Sequence, residues 1–361
     1  MLVHVFDDTP HHYIPMRNFF SLQCKINSKQ EFWVRKPLDA LKVDPTIANN
    51  VLMYSGNEEL LLKLSTLPET TQVLFHGLFD INIWRKLIFM PVVTRSSCVF
   101  WGAELYRHGK KSRTLKQYIA QFIHQYLVFR FKNVLALNPG DANLIQQYLK
   151  RKNATVLPYP LIGLSAKTLA DNRKSTSDEV SQNNPVKILL GNSAAPSNEH
   201  CMALKKLAHL AQENIQIIVP LNYAGQQNYI AEVINYGKEL FADKFTPITQ
   251  MLEKSAYDKL LVSVDITVFA HQRQQGLYVV YAMLLQGKPM FLCSSTSSFS
   301  NLSSLGFRVY PSEKLADYSY KSLCELLENT DNKNQQLMEQ HFTENALAPK
   351  WSSFLNGLFK S

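Results

Sequence analysis

The chain lacks any apolar run long enough to cross a membrane, and its cysteines form no pattern. Its longest apolar stretches, such as Tyr278–Leu285, are far shorter than the roughly 20 residues of a membrane-spanning helix. The five cysteines are scattered and odd in number, which is typical of reduced thiols in a cytosolic protein. The opening residues, MLVHVFDD, favour a strand over a secretory signal. We therefore expect a cytoplasmic protein.

Three motifs that hold phosphates or metals are also missing. No G-x-G-x-x-G follows a strand and no G-x-x-x-x-G-K-[ST] occurs, which argues against dinucleotide-dependent dehydrogenases and P-loop NTPases. No Asp-x-Asp is present, so the usual carboxylate pair for a metal on a sugar diphosphate is absent. We expect no metal and no cofactor, and we expect cationic side chains and helix dipoles to neutralise any bound diphosphate.

The positive charge of the chain is concentrated in its first half. Residues 1–160 contain 20 Lys and Arg against 11 Asp and Glu, whereas residues 161–361 contain 18 of each. The densest basic run, RHGKKSRTLK, contributes Arg107, Lys110, Lys111, Arg113 and Lys116. Such a run is either a solvated helix face or a site for an anionic partner: a membrane surface, a phosphorylated substrate or nucleic acid. Nucleic acid is disfavoured because the run contains no aromatic side chain for base stacking.

Short apolar runs alternate with longer helical patterns along the whole chain. The predicted strands are residues 2–6, 31–34, 73–75, 98–101, 134–137, 155–157, 187–190, 215–219, 265–269 and 290–292, with a weaker one at Val309. The predicted helices include residues 60–64, 81–89, 115–131, 141–150, 198–212, 227–240, 255–262 and 277–286. Buried strands that alternate with helices indicate an α/β fold with two doubly wound, Rossmann-like parallel sheets.

The length and one polar stretch predict two domains. A chain of 361 residues exceeds what one hydrophobic core usually organises. The segment 163–186 is rich in Ser, Asn and Asp and has almost no large apolar residues, as a linker would. We predict an N-terminal domain over 1–162, a linker over 163–186 and a second domain over 187–335. The remaining residues, 336–361, are predicted as a helical tail that packs back on the body.

Polar residues follow two predicted strands of the second domain, where ligands of doubly wound sheets bind. The first strand runs into Gly191, Asn192 and Ser193, and Ser197 is expected to cap the next helix. This loop is either an ordinary capped turn or an anion site at a helix N-terminus. After the next strand, Tyr223 is a candidate for stacking on a base or sugar, although loop packing is the commoner role of such a residue.

The segment AHQRQQG, between a buried strand and an almost entirely apolar helix, carries the strongest prediction of a binding site. A helix that is apolar all round has its N-terminus inside the molecule, and Gly276 is predicted to open this one. Arg273 beside that N-terminus would suit a diphosphate, because a guanidinium, amides and the helix dipole then act together. Gln274 and Gln275 would suit sugar or ribose hydroxyls.

Candidate bases occur at strand ends of the first domain. His76 ends one strand, Glu104 follows another, and Asp8, His11 and His12 follow the first. Each alone is more commonly a hydrogen-bonded loop residue, but together they offer both imidazole and carboxylate groups for proton transfer.

The helical pattern after the basic run is amphipathic. Ile119, Phe122, Ile123 and Tyr126 fall on one stripe, which favours either peripheral membrane contact or packing on the core.

Several blocks resemble, in order and spacing, one known family. FHGLFDINIW, WGAELY, LLGNSAAPSNEH, IVPLNY and FAHQRQQG are similar to segments of the TDP-Fuc4NAc transferases of enterobacterial common antigen synthesis, glycosyltransferase family 56. The resemblance implies a glycosyltransferase B fold with two domains facing a cleft. It implies a TDP-sugar donor held mainly by the second domain, and a lipid-linked acceptor, an undecaprenyl-diphosphate disaccharide, at the cytoplasmic face of the inner membrane.

The resemblance sharpens the site predictions. Gly191–Ser193 would line the phosphate and sugar of the donor, with Asn198, Glu199 and His200 touching the donor or fixing the loop. Glu104 becomes the first candidate base, with His12 and His76 second. Glu104 replaces an Asp of the family pattern, the loop contains the extra pair His271–Gln272, and Tyr278 replaces a Gly. A different sugar or acceptor, or a sugar-nucleotide epimerase of the same architecture, are the alternatives.

Overall fold

A computed structural model describes residues 1–6, 10–35, 50–109, 114–164, 184–329 and 332–360, with the side chains of residues 10–12 excepted. The chain divides into two compact units. The first unit comprises Met1–Ile162 and Glu344–Ser361, and the second comprises Gly163–Thr343. Most of the predicted linker lies outside the described residues, as do Asp8, Lys110, Lys111 and Arg113.

The first unit is built on a seven-stranded sheet in which every pairing is parallel. Its strands are β1 (Leu2–Phe6), β2 (Gln30–Arg35), β3 (Val51–Tyr54), β4 (Gln72–His76), β5 (Ser96–Phe100), β6 (Asn133–Ala136) and β7 (Thr155–Val156). The order across the sheet is β3-β2-β1-β4-β5-β6-β7. Strands β1 and β5 are buried along their whole length, because helices cover both faces of a parallel sheet.

Helices of the first unit alternate with these strands. They are α1 (Pro10–Asn18), α2 (Asn57–Ser65), α3 (Ile81–Leu87), α4 (Ala103–Tyr106), α5 (Leu115–Arg130) and α6 (Pro139–Leu149). A π-helical turn, Phe19–Gln23, extends α1. The core between sheet and helices is formed by side chains such as Phe75, Trp84 and Leu127, all essentially inaccessible to solvent.

The second unit contains a six-stranded sheet, again parallel throughout. Its strands are β8 (Val186–Leu190), β9 (Ile215–Pro220), β10 (Phe245–Ile248), β11 (Ile266–Phe269), β12 (Met290–Leu292) and β13 (Tyr310–Pro311). Its helices are α7 (His200–Leu207), α8 (Gln227–Phe241), α9 (Lys254–Ser263), α10 (Leu277–Leu285), α11 (Ser297–Ser304), α12 (Tyr320–Glu328) and α13 (Lys333–His341). The strand order is β10-β9-β8-β11-β12-β13.

The last helix, α14 (Glu344–Gly357), belongs to the first unit, whereas α13 belongs to the second. Trp351 of α14 is fully buried, lies edge-on to Phe20 with ring centroids 5.1 Å apart, and donates its indole N–H to the Pro158 carbonyl at 2.9 Å. The segment predicted as one tail, 336–361, is therefore shared between the two units.

The predicted fold class, two doubly wound α/β units, is confirmed. Strands β3 and β10 were not predicted, and each of them is an edge strand with only one buried residue. Edge strands of this kind lack the continuous apolar run by which buried strands are recognised. Among the described residues, no helix is long and apolar enough to cross a membrane.

In both sheets the strand order reverses beside the first strand of the unit. β1 lies between β2 and β4, and β8 lies between β9 and β11. The crevice at such a reversal, beyond the carboxyl ends of the strands, is where open α/β sheets bind ligands. The candidate binding edges are therefore the one after β1 and β4 and the one after β8 and β11.

Candidate functional site

At the carboxyl edge of the second sheet, Asn192 joins three loops. Its side-chain amide donates to the Tyr223 hydroxyl at 2.9 Å, and its amide oxygen accepts from Gln275 Nε2 at 3.0 Å. The Gln275 oxygen in turn accepts from the Ser197 hydroxyl at 2.8 Å. The loops after β8, β9 and β11 are thus held together by side chains, as a pre-formed binding site requires.

Asn198 folds the loop after β8 onto itself. Its side-chain oxygen accepts the Asn192 backbone N–H at 3.0 Å, and its amide donates to Ser193 Oγ at 3.3 Å. Asn198 is fully buried, so its role in this structure is to fix the loop. The expectation that Ser197 caps α7 was wrong. The helix begins at His200 after a left-handed Glu199, and the Ser197 hydroxyl is used on Gln275.

Two glycines allow the close approach of these loops. Gly191 has φ +71°, and a Cβ there would lie 2.7 Å from His200 Nε2 and 2.8 Å from Asn198 Oδ1. Gly276 has φ +66° and would meet the Phe269 ring at 2.8 Å. Both positions therefore exclude a side chain on steric and conformational grounds. Gly276 directly precedes α10, as predicted from the sequence.

Arg273 is the one cation in the loops that follow β8, β9 and β11, all of which are described. Its side chain is half-buried, and within the described residues it makes no hydrogen bond or ion pair. No side chain caps the first turn of α10 behind it. An unengaged guanidinium near an uncapped helix N-terminus is an arrangement that binds phosphate groups.

Two histidines lie beneath the same loops. His200 donates to or accepts from the Tyr229 hydroxyl through Nδ1 at 3.0 Å, and His271 stacks on Phe269 with ring centroids 4.3 Å apart. Burial lowers the pKa of His200 to about 4. Burial, then the neighbouring His200 and Arg273, lower the pKa of His271 to about 3. Both imidazoles are neutral at physiological pH.

A cluster formed by Tyr278, Asp258 and Lys254 at this edge was not predicted from the sequence. The Tyr278 hydroxyl donates to Asp258 at 2.6 Å, and Lys254 forms an ion pair with the other oxygen of Asp258 at 2.6 Å. Burial and then the hydrogen bond to Asp258 raise the pKa of Tyr278. The cluster links α9 to the start of α10. The sequence prediction considered residues that directly follow strands, whereas Lys254 and Asp258 lie on a helix.

In the first unit, Glu104 lies in α4, just past the end of β5. Its carboxylate is fully buried and accepts the Leu78 N–H at 3.2 Å and the Trp101 N–H at 3.3 Å. Burial raises its pKa to about 7, against the opposing effect of these amides and of Arg107. A carboxyl group that titrates near neutral pH is suited to proton transfer. The same bonds also join the loops after β4 and β5.

His76 lies in the core rather than at the protein surface. Its Nδ1 hydrogen-bonds the Tyr159 hydroxyl at 2.6 Å and its Nε2 hydrogen-bonds His4 at 2.9 Å. His4 continues the chain to the Gln30 side chain at 3.0 Å. Burial lowers the pKa of His76 well below its usual value. Both ring nitrogens are thus occupied by protein groups, an arrangement typical of a structural histidine. His12 lies in α1, but its side chain is outside the described atoms.

The basic run and the helix after it differ in part from expectation. Arg107 turns inward, donates to the Phe79 carbonyl at 3.2 Å and lies over the Trp84 ring. Lys116 is exposed on the first turn of α5. Ile123, predicted on the apolar stripe, packs against the core instead. The exposed stripe of α5 consists of Leu115, Tyr118, Ile119, Phe122, Tyr126 and Phe129.

Within the described part of the chain, no three His, Cys, Asp or Glu side chains are arranged to hold a metal ion. The expectation of no metal and no cofactor stays a prediction.

Comparison with known proteins bears on the whole chain. Residues 1–348 match the family model described as 4-alpha-L-fucosyltransferase, glycosyl transferase group 56. Sucrose-phosphate synthase from Thermosynechococcus elongatus is similar in structure with a TM-score of 0.70 at 13% identity, over 99% of each chain. The E. coli trehalose-6-phosphate structure bound with UDP-2-fluoro glucose has a TM-score of 0.67 at 9% identity, over 100% of this chain and 99% of the other. A glycosyltransferase from Rickettsia africae has a TM-score of 0.65 at 12% identity, over 100% and 98%. The fold is that of the glycosyltransferase B class.

Proposed function

The chain belongs to the glycosyl transferase group 56 family, and on that basis we propose the reaction that it catalyses. It transfers 4-acetamido-4,6-dideoxygalactose from a TDP-sugar to an undecaprenyl-diphosphate-linked disaccharide. The family implies a sugar-nucleotide donor and a glycosyl acceptor. The particular sugar and acceptor rest on the sequence blocks that resemble Fuc4NAc transferases.

One observation supports the donor site: three loops converge on Asn192 and Gln275 beside an unengaged Arg273. In the proposed reaction an acceptor hydroxyl attacks the anomeric carbon, and the bond from that carbon to the diphosphate oxygen breaks. The electron pair goes to the leaving TDP. Arg273 and the first backbone amides of α10 stabilise the negative charge that develops on the leaving diphosphate. Electrostatic stabilisation of this kind is usually the largest single contribution to catalysis.

Glu104 is our candidate for the base that takes the proton from the acceptor hydroxyl. Its pKa of about 7 places it in the titration range of a useful base. Its full burial and its two amide bonds support a second role, holding the loops after β4 and β5. Glu104→Gln separates the two: loss of transfer with unchanged donor binding and unchanged Tm supports the base, whereas loss of both activity and thermal stability supports the structural role.

We further propose that the exposed stripe of α5 rests on an anionic membrane surface, where a lipid-linked acceptor resides. Phe122 and Phe129 are 71% and 72% exposed, and such side chains gain by entering the interface between lipid head groups and acyl chains. Lys116 on the same helix, and Lys110, Lys111 and Arg113 before it in the sequence, would pair with anionic head groups. The protein would then act at the cytoplasmic face of the inner membrane.

A different sugar remains the second candidate, because the family model is described by fucosyl transfer. The substitution of Glu104 and Tyr278 for the Asp and Gly of the related pattern favours this alternative. An epimerase is disfavoured by membership of a transferase family.

A nucleotide screen tests the proposal most directly. We expect TDP to raise Tm more than UDP or GDP does, and we expect Arg273→Ala to abolish the shift. Transfer of radiolabelled sugar from TDP-Fuc4NAc and from a fucosyl nucleotide to a lipid-linked acceptor then identifies the donor. The assay is repeated with EDTA, which should leave the rate unchanged. Stabilisation by GDP alone, with fucose transfer, would replace the proposed donor by the second candidate.

A further inference from the structure

One ring nitrogen of His271 is buried and unpartnered in the part of the chain that the structure describes. Its side chain is 3% exposed, and Nε2 has no hydrogen-bond partner among the described residues. The ring also bonds the Gln275 backbone in a way that raises the pKa. A backbone carbonyl beside the ring has that effect, and Nε2 has no partner, so we assign the proton of the neutral ring to Nδ1. Nε2 of the neutral ring is therefore a bare acceptor.

A nitrogen that can only accept a hydrogen bond is unfavourable beside a bound diphosphate. Buried polar atoms nearly always have a hydrogen-bond partner, so an unpaired one indicates that a group outside the protein chain binds there. A phosphate oxygen is also an acceptor and would repel the neutral nitrogen. Once protonated, the same nitrogen becomes a donor with a positive charge, which is the kind of group that binds phosphate strongly.

The charges around His271 oppose protonation while the site is empty. Arg273 faces it from its own loop, and His200 faces it from the start of α7. His200 is neutral, its Nδ1 hydrogen-bonds the Tyr229 hydroxyl of α8, and its Nε2, like that of His271, has no partner among the described residues. Glu199 precedes His200, and it perturbs Tyr229 rather than His271. A nucleoside diphosphate brings about two to three negative charges to loops whose one cation is Arg273, so its arrival reverses this balance.

We propose that His271 takes up one proton when the nucleoside diphosphate of the donor binds, so that Nε2 donates to a phosphate oxygen. This inference rests on the proposed donor site and adds to it a second cationic group. The same proton remains on His271 while the leaving diphosphate develops charge, and it is released with the product nucleotide. Donor binding is then coupled to pH, although neither histidine is charged in the free protein.

Calorimetric titration of TDP into the intact protein tests the inference. Near pH 7, titrations in two buffers of different ionisation enthalpy give the number of protons taken up. We expect about one proton more for the wild-type protein than for His271→Gln. We also expect the affinity ratio of wild type to variant to fall by up to about tenfold from pH 6.5 to pH 7.5. The variant comparison removes the titration of the nucleotide itself.

Two control variants identify the residue. His209→Gln removes an exposed imidazole of the same unit and should keep the wild-type proton uptake. His200→Gln should also keep it, because His200 stays neutral in this scheme. If His271→Gln does not fold, histidine-labelled wild-type protein answers the question by NMR. One buried imidazole should then change to imidazolium when TDP is added.

The outcomes separate this inference from the donor assignment. TDP binding with equal proton uptake in wild type and His271→Gln overturns the inference alone. Loss of uptake in His200→Gln but not in His271→Gln also overturns it. Absence of binding by TDP, UDP and GDP overturns the donor site and this inference together.

Discussion

In both units the strand order reverses beside the first strand of the sheet. The polar side chains near that reversal, however, are hydrogen-bonded to different extents in the two units. In the first unit His4, His76 and Tyr159 form a buried chain in which both nitrogens of each histidine are hydrogen-bonded. In the second unit His271 keeps a bare nitrogen and Arg273 is unengaged among the described residues. Polar groups satisfied within the protein serve packing, whereas unsatisfied ones at a strand-order reversal indicate a ligand site.

The two units also present surfaces of different chemical character. The first unit presents the apolar stripe of α5, and the second presents the polar loops around Asn192. We therefore expect variants of the second unit to affect nucleotide binding, and variants of α5 to affect membrane association alone.

The largest expected effect is that of removing the unengaged cation. Arg273→Ala should lower kcat/KM for transfer by about 10²-fold or more, because one fixed donor to a developing charge contributes about 3 kcal/mol. Steady-state kinetics with a lipid-linked acceptor measure this. Arg85→Ala, an exposed arginine of the first unit, is the matched control and should keep normal turnover. Near-normal kinetics in a folded Arg273→Ala protein would show that Arg273 does not stabilise the leaving group. The contrast between a ligand site in the second unit and a packing role in the first would then fail.

The second effect is a loss of folding stability with rising pH, and it is due to Glu104. Its pKa is raised from 4.5 to about 7 in the folded protein, so the unfolded chain loses the proton first as pH rises. Stability should therefore fall between about pH 4.5 and pH 7, by up to about 3 kcal/mol. Urea unfolding at pH 5 and pH 7 measures the change. Glu104→Gln should flatten it, while Glu58→Gln, at an exposed carboxylate, should leave it intact.

The third effect tests how tightly the loop after β8 is built. Gly191→Ala should destabilise the protein by about 1–3 kcal/mol and weaken TDP binding, because the new Cβ meets His200 and Asn198 at a positive φ. Thermal unfolding and nucleotide titration give the two values. Gly56→Ala is the control, since Gly56 is extended and has nothing within 4 Å of its added Cβ. Equal tolerance of the two alanines would show that the loop relaxes freely.

The smallest effect is at the apolar stripe. Phe122→Ser should weaken binding to anionic vesicles about fivefold to tenfold, which corresponds to part of the free energy of burying one aromatic side chain. Vesicle sedimentation measures the partitioning. Leu62→Ser changes an equally exposed residue on α2 and should have no effect. TDP affinity should stay the same in both variants. Equal loss in both would point to non-specific adsorption.

The sequence predicts the buried part of this fold well. Residues 2–6 and 290–292 were assigned to strands that the structure has at the same residues, because both are continuous apolar runs between polar loops. The helix after AHQRQQG and its opening glycine were found for the same reason. What the sequence could not show is which partner each polar residue takes.

Ser197 illustrates that limit. Its position before a helical pattern predicts a cap, yet its hydroxyl bonds Gln275, which is 78 residues away in the sequence. His76 likewise follows the rule for a residue at a strand end, but Tyr159 and His4 occupy its nitrogens. Contacts of this kind depend on tertiary structure and leave no periodic trace in the chain.

The return of α14 to the first unit has a consequence for synthesis of the protein. The second unit is an insertion between Ile162 and Glu344, so all its residues emerge from the ribosome before the first unit is complete. Trp351 then packs beside Phe20 and Tyr159 as the last buried aromatic residue of the described chain to be made. The second unit, which carries the proposed donor site, can thus fold before the final helix of the first unit is made. The first unit can complete its core only after α14 has been synthesised.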